Sequence, residues 1–139
     1  EDLTAKNNEQ IIDVTIEALK NDSHGIIFSN LVDFDMLYGH RRDTEGYAKA
    51  LEHFDARLPE IFDAMNEEDL LIMTADHGND PSYPGSDHTR EYVPLLVYGK
   101  SAKGGVALGT RQSLSDIGQT IAENFGVEIA DGVSFLNQI

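Results

Sequence analysis

The chain has 139 residues, 40% of them hydrophobic and 8% aromatic, which suits one domain with a packed core. A formal net charge of −15 argues against a nucleic-acid backbone as partner, and the absence of cysteine excludes disulfides and thiolate metal sites. No apolar run approaches the roughly 18–20 residues of a membrane helix. The opening Glu1-Asp2-Leu3-Thr4 lacks the pattern of a signal peptide, so a cytoplasmic location is expected.

The predicted elements alternate. From about Leu3 to Asn21, Ile12, Ile16 and Leu19 step at helical spacing, and Asn21–Gly25 closes that helix. Ile26–Val32 then reads as a buried strand, followed by a polar loop from Asp33 to Arg42. Tyr47, Leu51, Phe54, Leu58, Ile61 and Met65 mark a strongly amphipathic helix, with Pro59 a point for a kink or a second start. A strand over Leu70–Thr74 leads into a long loop rich in Gly and Pro, and Pro94–Gly99 is a further strand. Val106–Thr110 reads as a short edge strand. Leu114, Ile117, Ile121 and Phe125 mark a last helix, with Ser113-x-x-Asp116 resembling a capping box and Gly126 a stop. The fold class expected is α/β, a mostly parallel sheet flanked by helices.

The chemistry gathers in the loops that follow two of these strands. One offers Asp33, Asp35 and His40; the other offers Asp76, His77, Asp80, Asp87 and His88. Ligands bind outside the carboxyl ends of strands in open α/β sheets, and loops far apart in sequence converge there. Imidazole and carboxylate together suit Zn, Mn, Fe or Ni, whereas Mg alone favours oxygen. From the residues themselves the site holds either one metal or two. Successive extended residues point opposite ways, so Asp76 and His77 need a loop conformation or two ions to act together. His24 and His53 are read as structural or solvent-facing.

Three strings are specific beyond this chemistry: Asn30–Asp43, Thr74–Pro81 and Gly85–Glu91. They resemble the phosphopentomutase family of the alkaline phosphatase superfamily, over nearly the whole chain. The resemblance implies that Asp35, His40 and His88 hold one divalent ion and that Asp76 and His77 hold a second, both manganese. It implies transfer of phosphate between the C1 and C5 oxygens of ribose or deoxyribose through a phosphothreonine, with a pentose phosphate as substrate.

Departures from that family matter as much. Its further aspartate, its threonine nucleophile and its inserted cap have no counterpart here, and none of the seven threonines stands in the nucleophile's motif. Residues 1–139 are therefore expected to be the C-terminal part of the metal-binding core, inactive alone. Such a piece would pair with the missing N-terminal segment or with a second copy. Cofactor-independent phosphoglycerate mutases share the ligand order with a shorter spacing in the first loop. Two other classes stand against this reading. A mononuclear iron oxygenase also uses two histidines and a carboxylate, but predicts an all-β barrel. A non-catalytic α/β binding domain predicts no stoichiometric metal uptake. Asp33, Asp80 and Asp87 are either turn-formers or supports for the ligands, with support favoured for Asp87. Arg41 and Arg42 either contact phosphate or pair with Asp43 or Glu45.

Overall fold

The computed structural model describes residues 4–21 and 24–139, in two compact units. The first unit comprises residues 1–66 and 77–93, the second residues 67–76 and 94–139.

The first unit is built on two helices, α1 (Asn8–Lys20) and α2 (Thr44–Ala64). Asn7 caps α1 by accepting from the Gln10 N–H, and Asp43 caps α2 by accepting from Gly46 at 2.9 Å. Their apolar stripes meet in a core of Ile12, Ile16, Ile61 and Met65, each under a tenth exposed. Leu51, read as part of that stripe, is exposed instead. Pro59 does not break α2, which runs unbroken to Ala64. Across the solvent side, Arg57 joins the helices by donating to Glu9 and Asp13 of α1 and Glu60 of α2. Glu60 and Asp13 hold the guanidinium above its ordinary pKa.

Residues 26–32 depart from the expected buried strand. They find no ladder partner among the described residues, so they form neither helix nor strand. Ile26 is 64% and Phe28 87% exposed. A strand exists through its neighbours' hydrogen bonds, and apolar β-branched composition cannot replace them. The segment is held to α1 at two points: Thr15 Oγ1 meets Ser29 Oγ at 2.6 Å, and Asn8 and Asp33 exchange two backbone-to-side-chain bonds. Asp33 is thus an anchor for the chain entering the next turn.

In the second unit β1 (Leu71–Thr74) and β2 (Leu95–Tyr98) pair antiparallel, Leu71 opposite Tyr98 and Thr74 opposite Leu95. This one described pair does not show the expected mostly parallel sheet. Parallel neighbours need a crossover, usually a helix, and the long connection between these two strands contains none. Val106–Thr110 is not a strand either.

Helix α3 (Ser115–Asn124) ends as expected at Gly126, whose φ of +69° permits a Schellman closure. Its bonds run from Gly126 N to Glu123 O and from Val127 N to Ala122 O, both at 2.9 Å. The capping box at its start does not form. Asp116 is buried and accepts instead from Arg111 Nε at 2.9 Å and Val133 N at 2.8 Å. Thr120, also buried, accepts from Phe135 N at 3.0 Å and seats that fully buried ring.

Because the Val133 N–H and then Arg111 outweigh burial, the Asp116 carboxyl sits below its ordinary pKa. Asp116→Ala strands both donors and is expected to lower stability by roughly 2–3 kcal/mol, read as a shift in urea midpoint. The stabilisation is complete above the unfolded carboxylate pKa of about 3.9 and is lost as pH falls through the lower folded value. Asp116→Asn should therefore flatten the acid limb of a stability profile below about pH 4. An unchanged limb would remove Asp116 as its source.

Candidate metal centre

The first stretch with candidate ligands, expected as a polar loop, is a single π turn over Phe34–Gly39. His40 N donates to Asp35 O at 2.9 Å and Asp43 N to Tyr38 O at 3.0 Å, each five residues back. The widened turn sets the side chains of Asp35 and His40 one above the other, with His40 Nε2 3.3 Å from Asp35 Oδ2. That is the local meaning of the Asp-x4-His spacing, and π turns recur at functional sites. Phe34 packs on Tyr47 of α2, ring centroids 5.6 Å apart. Burial first, and then the charges of Asp35 and Glu91, raise the Tyr47 pKa.

The second stretch folds back on itself. Gly78 and Thr89 form an isolated antiparallel bridge, with Thr89 N donating to Gly78 O at 3.0 Å. A side chain at residue 78 would stand 2.8 Å from Thr89 O, so glycine is needed there. The bridge brings His77 and His88 face to face, ring centroids 3.7 Å apart and planes tilted by 22°. Asp80 forms a turn, its Oδ1 accepting from Ser82 N and Ser82 Oγ, and Ser82 holds its pKa down.

These two stretches meet at three donors. His88 Nε2 lies 3.1 Å from His40 Nε2 and 3.4 Å from Asp35 Oδ1. Donors sharing one ion with bonds of about 2.1 Å stand roughly 3.0–3.4 Å apart, whether tetrahedral or octahedral. The protonation pattern suits the same use. His40 Nδ1 is 2.6 Å from Ser86 O; a carbonyl only accepts, so Nδ1 carries the hydrogen, and Nε2 is the nitrogen turned toward Asp35 and His88. Asn79 Nδ2 donates to Asp35 Oδ1 at 2.6 Å. Side-chain exposures of 32% for Asp35, 38% for His40 and 47% for His88 leave one face of the cluster open. The group has the composition and spacing to hold a divalent ion.

Of the five residues read as ligands, the structure brings together Asp35, His40 and His88. His77 joins them through its ring, with Nδ1 directed to Gly78 O at 3.2 Å. Asp76 is exposed, follows β1 and belongs to the second unit. His53 pairs with Glu9 on the surface, as a structural histidine would. Arg42 does not pair with Asp43 or Glu45 among the described residues; it donates to oxygens of both stretches. Asn79 and the Ser86 carbonyl were not foreseen. The signal for Asn79 was Gly39, where a Cβ would stand 2.6 Å from the Asn79 Cγ.

Residues 1–129 match the sequence model of the Metalloenzyme superfamily. The chain belongs to the Metalloenzyme superfamily. Membership implies the α/β fold of alkaline phosphatase-like proteins and gives the Asp-His cluster a family context. Among individual relatives in the superfamily, the chain is 61% identical over 134 residues to a curated phosphopentomutase of Caldanaerobacter subterraneus subsp. tengcongensis. The match covers 96% of this chain and 34% of that relative, so the chain spans about a third of its length. Among the described residues no helix is long and apolar enough to cross a membrane.

Proposed function

We propose that the chain is the metal-binding C-terminal part of the catalytic core of a phosphopentomutase, a cytoplasmic enzyme interconverting (deoxy)ribose 1-phosphate and 5-phosphate. The observation that carries this reading is the convergence of Asp35, His40 and His88 in a chain so similar to a curated phosphopentomutase. In it, Asp35, His40 and His88 hold one divalent ion, and Asp76 and His77 contribute to a second. Mixed imidazole and carboxylate donors favour manganese over magnesium for both. When bound, two such ions activate the attacking oxygen and neutralise the phosphoryl oxygens.

The chain's own part is to keep its ligands ready. Ser86 O holds the proton on His40 Nδ1, so that Nε2 stays free to bind. Asn79 fixes the Asp35 carboxylate by donating to Oδ1. The threonine that carries the phosphate, the sugar-binding cap and the larger, mostly parallel sheet belong in this reading to the rest of the longer protein. The 139-residue chain alone is inactive.

The test is turnover by the longer protein with Mn²⁺, followed by phosphorus NMR on ribose 1-phosphate and, separately, 2-phosphoglycerate. Conversion of ribose 1-phosphate to ribose 5-phosphate is expected. Conversion of 2-phosphoglycerate alone would replace this reading with the related mutase, and conversion of neither would overturn it.

A further inference from the structure

We propose that Arg42 is a positioning residue for the metal site, a clamp that orients two of its ligands through their hydrogen-bond partners. The proposal rests on the reading of Asp35, His40 and His88 as ligands. Its first observation is backbone conformation. Arg42 has a φ of +56°, the one left-handed residue other than glycine among those described. Such a position is strained for a residue with a side chain and persists where its surroundings over-determine it.

The surroundings are five oxygens. Arg42 donates to Gly39 O at 3.1 Å, Asn79 Oδ1 at 2.8 Å, Asp80 O at 2.8 Å, Asp87 O at 2.6 Å, and Gly85 O. They come from the turn bearing Asp35 and His40, from the stretch just after His77, and from the run just before His88. None is a carboxylate, so the guanidinium acts here as a planar fork of donors and not as the partner of one charge.

Two routes lead from the clamp to the ligands. Asn79 accepts from Arg42 through Oδ1; because a guanidinium can only donate, the amide must turn its NH₂ toward Asp35, which it meets at 2.6 Å. Ser86 lies between Gly85 and Asp87, whose carbonyls both accept from Arg42. The Ser86 carbonyl is thereby set toward His40 Nδ1, at 2.6 Å. One side chain thus supports the carboxylate orientation and the imidazole tautomer together. Lysine keeps the charge but has three donors on a rotating ammonium, too few to hold the same set.

The test is calorimetric titration of this chain with Mn²⁺, each variant first checked by circular dichroism to be folded at the titration temperature. Arg42→Ala, Arg42→Lys and Asn79→Ala are each expected to weaken binding by about 10–100-fold, the usual effect of losing a ligand's supporting partner. Arg42→Ala with Asn79→Ala should lose less than the product of the two, since they share one route. Wild-type affinity in Arg42→Lys would mean that charge alone suffices, and would overturn the clamp; so would wild-type affinity in Arg42→Ala. If neither Arg42 variant folds, Asn79→Ala decides, weakened uptake supporting the relay and unchanged uptake overturning it. His40→Ala keeps the two failures apart. Uptake that is absent from wild type, or unchanged in His40→Ala, overturns the metal site and the clamp with it. Uptake lost in His40→Ala but intact in Arg42→Ala overturns the clamp alone.

Discussion

Replacing His77 by Ala in the longer protein is expected to lower turnover of a pentose 1-phosphate by roughly 10²–10³, the usual cost of one electrostatic partner in a transition state. His77 follows β1, outside the apolar strand residues Leu71–Met73, so its loss should disturb chemistry more than folding. Its Nδ1 is directed to the Gly78 carbonyl at 3.2 Å. The ring also lies on His88 at 3.7 Å, and Ala removes that support as well. His77→Phe separates the two roles, because it keeps a stacked ring and removes the nitrogen. Ligation predicts that Phe is as damaging as Ala; stacking alone predicts that Phe restores turnover. Thermal unfolding of the metal-free protein, measured alongside, should change little in either variant. Near wild-type turnover by His77→Ala at saturating Mn²⁺ would remove the two-metal assignment.

His40→Ala is expected to have the larger effect on metal uptake by the chain itself. Wild type should take up about one Mn²⁺ per chain, as expected of one cluster with donors close enough to share an ion. His40 stands at the centre of that cluster, 3.3 Å from Asp35 and 3.1 Å from His88 through the same Nε2. Losing a ligand should cost more than the roughly 10–100-fold that losing a ligand's supporting partner costs. Calorimetry of wild type and variant measures this directly, and equal affinity would take His40 out of the site. Core stability gives the control: Ile12, Ile16, Ile61 and Met65 do not involve His40, so the metal-free unfolding midpoint should stay near wild type.

Local features of this protein were determined by sequence alone. The α2 stripe, the stop at Gly126 and the strand character of residues 71–74 and 95–98 follow from periodicity and from what glycine permits over one or two turns. Asp35, His40 and His88 were legible as candidate donors, since that chemistry is carried by the side chains themselves, while their grouping into one set was implied by the family resemblance. Pairing was not. Residues 26–32 have strand composition without a ladder, and β1 meets β2 antiparallel because no helix carries the chain across between them. The π turn was hidden because its five-residue bonds leave no mark in hydrophobic spacing. Asp116, read as a cap for its own helix, found a better partner in Val133, 17 residues away.

Arg42 shows the same limit most plainly. Four of its five acceptors lie 37, 38, 43 and 45 residues further along the chain. Three of those four are backbone carbonyls, which every residue type supplies alike. A hydrogen bond to a carbonyl selects a position in space and not an amino acid, so only the tertiary structure could decide what this guanidinium holds.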